Sequence, residues 1–126
     1  MERWFFSELR AMFKKVIRWQ KLSFPASQLE EKVPEIFYAA GRKLCAIKNQ
    51  EGIFAIEDRC PHNGFSLSQG NTTDDGMNIV CPLHRYAYNL KTGRCSNGSG
   101  GAARVFPIEQ REDGLYIGIE ETEWGW

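Results

Sequence analysis

The chain has 126 residues, 42% apolar and 25% charged, with 16 basic side chains balancing 16 acidic ones. That length suits one domain over 1–126, able to bury a core without disulfide support. The composition excludes a disordered chain and shows no cationic excess of the kind that binds nucleic acid.

Charge is nonetheless uneven. Arg3, Arg10, Lys14, Lys15, Arg18 and Lys21 make the start basic, and Glu109, Glu112, Asp113, Glu120, Glu121 and Glu123 make the end acidic. Residues 1–14 show rough helical spacing in Phe5, Leu9, Met12 and Phe13. A short helix or an extension ahead of the domain is expected there, in preference to a membrane-touching segment, because so short a basic pattern is a weak signal. No apolar run reaches the ~18 residues of a membrane span, and the start lacks the apolar core of a signal peptide. The expected compartment is the cytoplasm. Four cysteines there serve as metal ligands or free thiols more readily than as a disulfide framework.

Beyond residue 14 the chain reads as β-rich. Val16–Trp19 is an expected strand, and 23–32 can hold a short helix before Pro34. Ile36–Ala40 and Leu44–Lys48 flank a turn at Gly41-Arg42, and Gly52 precedes Ile53–Ile56. Asn78–Val80 and Tyr86–Leu90 follow, with turns at Thr92-Gly93 and Asp113-Gly114 and a flexible loop over Asn97–Gly101. Arg104–Phe106 and Leu115–Ile119 complete the pattern. Evenly spaced short strands predict an all-β fold, a small antiparallel barrel or sandwich. Cys45 lies in an alternating apolar strand and is expected in the core, and Cys95 is expected as a free thiol.

The chemistry is concentrated in Cys60-Pro61-His62 and Cys81-Pro82-Leu83-His84, which use the only two histidines of the chain. Each loop offers one thiolate and one imidazole, and Pro and Gly punctuate both. Two such loops can enclose a metal centre between them. By ligand count alone, tetrahedral zinc and a [2Fe–2S] centre with two His on one iron both fit.

The flanks carry a resemblance. Cys60-Pro61-His62-Asn63-Gly64 with Leu67-Ser68-Gln69-Gly70, and Cys81-Pro82-Leu83-His84 with Tyr88–Gly93, resemble the two cluster loops of Rieske ferredoxins over about residues 55–107. The resemblance implies a Rieske fold, with a two-loop cluster-binding subdomain over 59–90 inserted in the sandwich. It implies one [2Fe–2S] cluster per chain, with Cys60 and Cys81 on one iron and His62 and His84 on the other. Two ferric ions, two sulfides and two thiolates sum to zero charge, so the oxidised cluster accepts an electron readily. Potentials of such centres accordingly span roughly −150 to +300 mV.

Departures are equally informative. High-potential members carry a loop disulfide, and its positions here are Phe65 and Leu83. Their serine after the second ligand histidine is Tyr86 here, whereas their cluster-facing tyrosine is retained as Tyr88. The residue after His84 is usually glycine, and Arg85 stands there, which puts the usual tight turn in doubt and a cation near the electron's exit.

The function expected from the resemblance is a soluble one-electron carrier between a reductase and a terminal oxygenase or other redox enzyme, not a catalyst in itself. A small Rieske subunit of a larger reductase, such as nitrite reductase, is the alternative. A zinc-stabilised interaction module is the alternative of another class. Contacts with redox partners are expected around Phe65, Pro82, Leu83 and Arg85. No histidine is left over for a second, mononuclear iron site.

Overall fold

The computed structural model describes residues 13–124. Among the described residues ten strands form three sheets, and every ladder between them is antiparallel. The first sheet joins β1 (Phe13–Lys21), β10 (Gly114–Trp124) and β9 (Ile108–Arg111) in the order β1-β10-β9. The second joins β2 (Glu35–Ala39), β3 (Arg42–Asn49), β4 (Gly52–Glu57) and β8 (Val105–Phe106) in chain order. The third is small: β5 (Asn71–Thr72), β6 (Asn78–Val80) and β7 (Ala87–Asn89). The all-β expectation holds.

β3 shows why the sequence stacks this way. Leu44, Cys45, Ala46 and Ile47 are all buried, an apolar run that only a strand covered on both faces tolerates. Leu44 and Ala46 join one core with Phe37, Phe106, Leu115 and Ile117. Cys45 and Ile47 point the other way, into a second core with Ile56, Leu67, Ile79 and Tyr88. The first core binds the two larger sheets together. The second seats the two loops that carry the Cys-His pairs. Burial pushes the Cys45 thiol up to about 12, and Cys45 and Cys95 are both free.

Several expected boundaries move. The segment 1–12 lies outside the described residues, but Phe13 and Lys14, expected as the end of a helix, open β1 instead. They pair with Trp124 and Glu123 in a nine-residue register. The first hairpin turns at Ala40-Gly41, not Gly41-Arg42, with φ of 51° and 71°. Positive φ at both central residues marks a type I′ two-residue hairpin loop, and Arg42 is already in the strand. The expected helix within 23–32 shrinks to one 3-10 turn at Ala26–Gln28. Among the described residues no helix is long and apolar enough to cross a membrane.

Candidate metal centre

The two loops are built alike. In the first, Cys60 N–H donates to the Phe65 carbonyl at 2.7 Å and Gly64 N–H donates to the Cys60 carbonyl at 2.7 Å. In the second, Cys81 N–H donates to the Tyr86 carbonyl and Arg85 N–H donates to the Cys81 carbonyl, both at 2.9 Å. Gly64 and Arg85 are therefore equivalent, and both are left-handed, at φ 79° and 59°. The turn survives the loss of glycine at position 85. An arginine held there stores strain that a glycine would not. Arg85→Gly is expected to stabilise the protein by about 0.5–1 kcal/mol, raising the melting temperature by about 2–5 °C in calorimetry.

This geometry sorts the four donors by exposure. Cys60 and Cys81 are 1% and 0% exposed, while His62 and His84 stand at the surface. The two imidazole rings meet edge to face, 4.9 Å between centroids. Tyr86 closes that side, its ring 5.0 Å from His62 and 6.3 Å from His84. Beneath, the Tyr88 hydroxyl lies 3.3 Å from Cys60 Sγ.

The electrostatics favour a thiolate at Cys60. Burial opposes a charged Cys60, but Tyr88, the backbone at Asn63 and His62, and Cys81 together outweigh it and lower the thiol's pKa. Burial and the neighbouring Cys60 push the Tyr88 phenol up, which keeps its proton available for donation. Asp58 anchors the first loop. Its carboxylate is wholly enclosed and accepts from Ser66 Oγ, Ser68 Oγ and Ser68 N–H, with Lys43 Nζ at 3.2 Å. Although burial opposes its charge, those hydrogen bonds hold the carboxyl below the usual range.

Two thiols and two imidazoles, one of each per loop, match in kind and number the donors that a [2Fe–2S] centre of mixed ligation takes. Among the described residues no three Cys, His, Asp or Glu side chains gather around one point as a single ion would need. Thiols buried on one side and imidazoles exposed on the other suit a two-iron unit with one ligand pair on each iron.

A family model described as "Rieske [2Fe-2S] domain" matches residues 18–107. The chain belongs to that family. Among its relatives, the 3-phenylpropionate/cinnamic acid dioxygenase ferredoxin subunit of Escherichia coli (strain K12) is 46% identical over 83 residues, covering 64% of this chain and 76% of that protein. The ferredoxin of carbazole 1,9a-dioxygenase from Nocardioides aromaticivorans IC177 shares the fold, with a TM-score of 0.72 and 20% identity over 79% of this chain and 95% of that one. A chain in the complex of reduced oxygenase and oxidized ferredoxin in carbazole 1,9a-dioxygenase matches with a TM-score of 0.69 and 30% identity, covering 79% and 91%. The family implies one [2Fe–2S] cluster for the chain, and the relatives named above are ferredoxins of dioxygenase systems.

Of the remaining residues singled out from sequence, Leu83 is 54% exposed beside the histidines, and Pro82 and Arg85 are exposed with it. Phe65 differs: it is half-buried and packs against the second core, so it supports the loop from below. Sequence reading missed Asn63 as more than part of a motif. Its Nδ2 lies 3.2 Å from His84 Nδ1 and 3.8 Å from Cys81 Sγ, and its Oδ1 accepts from Phe65 N–H. It also missed Asp58 and Asn97. An Asp two residues before Cys60, with serines at 66 and 68 after it, was the signal for the first.

Proposed function

We propose that Cys60, His62, Cys81 and His84 hold the cluster, and that the chain passes single electrons between a reductase and a terminal oxygenase in the cytoplasm. The observation that carries this reading is the sorting of donors by exposure: buried thiols inside, imidazole edges at the surface. When bound, the cluster supplies a site that takes up and releases one electron. The chain's own residues do the rest. Tyr88 donates a hydrogen bond toward Cys60, Tyr86 walls the histidines on one side, and Pro82 and Leu83 offer an apolar contact beside them.

Charge sets the partner. From residue 59 to 73 and from 76 to 108 the sequence contains no Asp or Glu, but it holds Arg59, Arg85, Lys91, Arg94 and Arg104. Asp58, just before, is buried and paired. Of the basic residues, Arg59 and Arg85 are exposed in the two histidine loops, whereas Lys91 is paired with Glu51, so the two loop arginines fit a partner with an acidic docking face. Exposed charges of this kind act on encounter rate and are screened by salt.

Stopped-flow electron transfer with such a partner tests the reading. Arg85→Glu is expected to slow transfer by roughly tenfold at low ionic strength, with the gap closing as salt rises. Rates that stay equal to wild type across a salt series would remove Arg85 from the docking surface.

A further inference from the structure

Tyr88 is the largest fully buried side chain among the described residues, and its hydroxyl faces two acceptors at once. Cys60 Sγ is 3.3 Å away and the Gly100 carbonyl oxygen 3.2 Å away. A phenol has one proton to donate. A metal-bound thiolate has none and a carbonyl has none, so the two compete for the same hydrogen.

The competing carbonyl belongs to the loop 96–101, which glycine allows to press on both tyrosines. A Cβ on Gly100 would stand 2.5 Å from the Tyr88 hydroxyl and 2.8 Å from the Tyr86 ring, and one on Gly98 2.7 Å from that ring. Asn97 fastens the loop. Its Oδ1 accepts from Ala87 N–H at 2.8 Å and its Nδ2 donates to the Arg85 carbonyl at 2.9 Å. The Cys95 thiol also lies 3.5 Å from Oδ1, and Ser96 N–H donates to the Ala87 carbonyl at 2.7 Å. One polar side chain thus ties the loop to the residues on either side of Tyr86.

We propose that Asn97 is a positioning residue for the redox potential: by holding the Gly100 carbonyl against the Tyr88 hydroxyl, it draws that proton away from Cys60 and keeps the potential below what the tyrosine alone would set. The proposal rests on reading Cys60 as a cluster ligand and Tyr88 as the donor to its sulfur. A hydrogen bond donated to a ligand sulfur stabilises the reduced, more negative state and raises the potential. Sharing the proton with a carbonyl weakens that donation. Releasing the loop returns the proton to sulfur.

The test is protein-film voltammetry on four iron-replete proteins: wild type, Asn97→Ala, Tyr88→Phe and the double variant. Asn97→Ala is expected to raise the midpoint, increasing the reduced-to-oxidised ratio at fixed potential by roughly two- to tenfold. Tyr88→Phe lowers the midpoint. The double variant matches Tyr88→Phe, because no proton remains to redistribute. Asn97→Ser, whose shorter hydroxyl reaches fewer of the backbone partners, gives a smaller shift of the same sign and replaces the alanine variant if that one does not fold. An Asn97 shift that persists without the tyrosine, or no Asn97 shift while Tyr88→Phe still lowers the midpoint, overturns the role of Asn97 alone. An unchanged midpoint in Tyr88→Phe overturns the donor reading beneath it.

Discussion

Alanine at His62 or at His84 is expected to yield a protein that folds but binds almost no iron, from roughly two irons per chain in the wild type. Both side chains are exposed, so their removal opens no cavity in either core. The first core, around Leu44, Ala46, Phe106 and Ile117, has no member in either loop. Far-ultraviolet circular dichroism should therefore keep its β signature while visible absorbance disappears. Cysteine variants are a poorer probe, since Cys60 and Cys81 belong to the second core and their replacement mixes packing with ligation. Full iron content in either histidine variant would show that the imidazoles are not ligands.

Gly93→Ala is expected to be among the most damaging conservative changes outside the proposed ligands. Gly93 sits at φ 78°, and a Cβ there would meet the Ala103 carbonyl oxygen at 1.9 Å. Its own carbonyl accepts from Ala103 N–H at 2.7 Å, and its N–H donates to the Asn89 carbonyl at 2.7 Å. Neither backbone can retreat without breaking the link between β7 and the segment that leads to β8. Left-handed strain and a backbone collision together cost about 3–5 kcal/mol, a fall in melting temperature of about 12 °C or more. Gly41→Ala is the control: its φ is 71°, but nothing lies within 4 Å of the added carbon, so only strain of about 1 kcal/mol is paid there. Equal stability of the two variants would contradict this account of Gly93.

The chemistry of this protein was more legible in the sequence than its geometry. Cysteine and histidine paired in two proline-containing loops is a local signal, and so were the apolar runs of β3 and β4. What local reading could not reach came from tertiary pairing. β5 is two residues, Asn71-Thr72, with no apolar pattern, and it exists because β6 offers it a partner. β10 runs on through Glu120 and Glu121 because β1 pairs along its length, with Lys15 reaching Glu120 and Arg18 reaching Glu121 diagonally across the ladder. The basic start and acidic end, noted as an asymmetry of charge, are the two sides of one ladder. Asn97 was legible only as part of a flexible loop. Its two backbone bonds make that loop a fixed part of the site. At Arg85 the sequence raised a doubt about the turn, and the backbone answers it by adopting a left-handed conformation.

Everything proposed for this protein depends on two thiols and two imidazoles holding a [2Fe–2S] cluster. Electron paramagnetic resonance of the reduced protein, with iron and acid-labile sulfide measured on the same sample, tests it most directly. Roughly two irons and two sulfides per chain are expected, with a rhombic spectrum whose average g value lies below that of all-cysteine clusters, as mixed histidine ligation requires. A colourless, spectroscopically silent protein carrying one zinc per chain would contradict it.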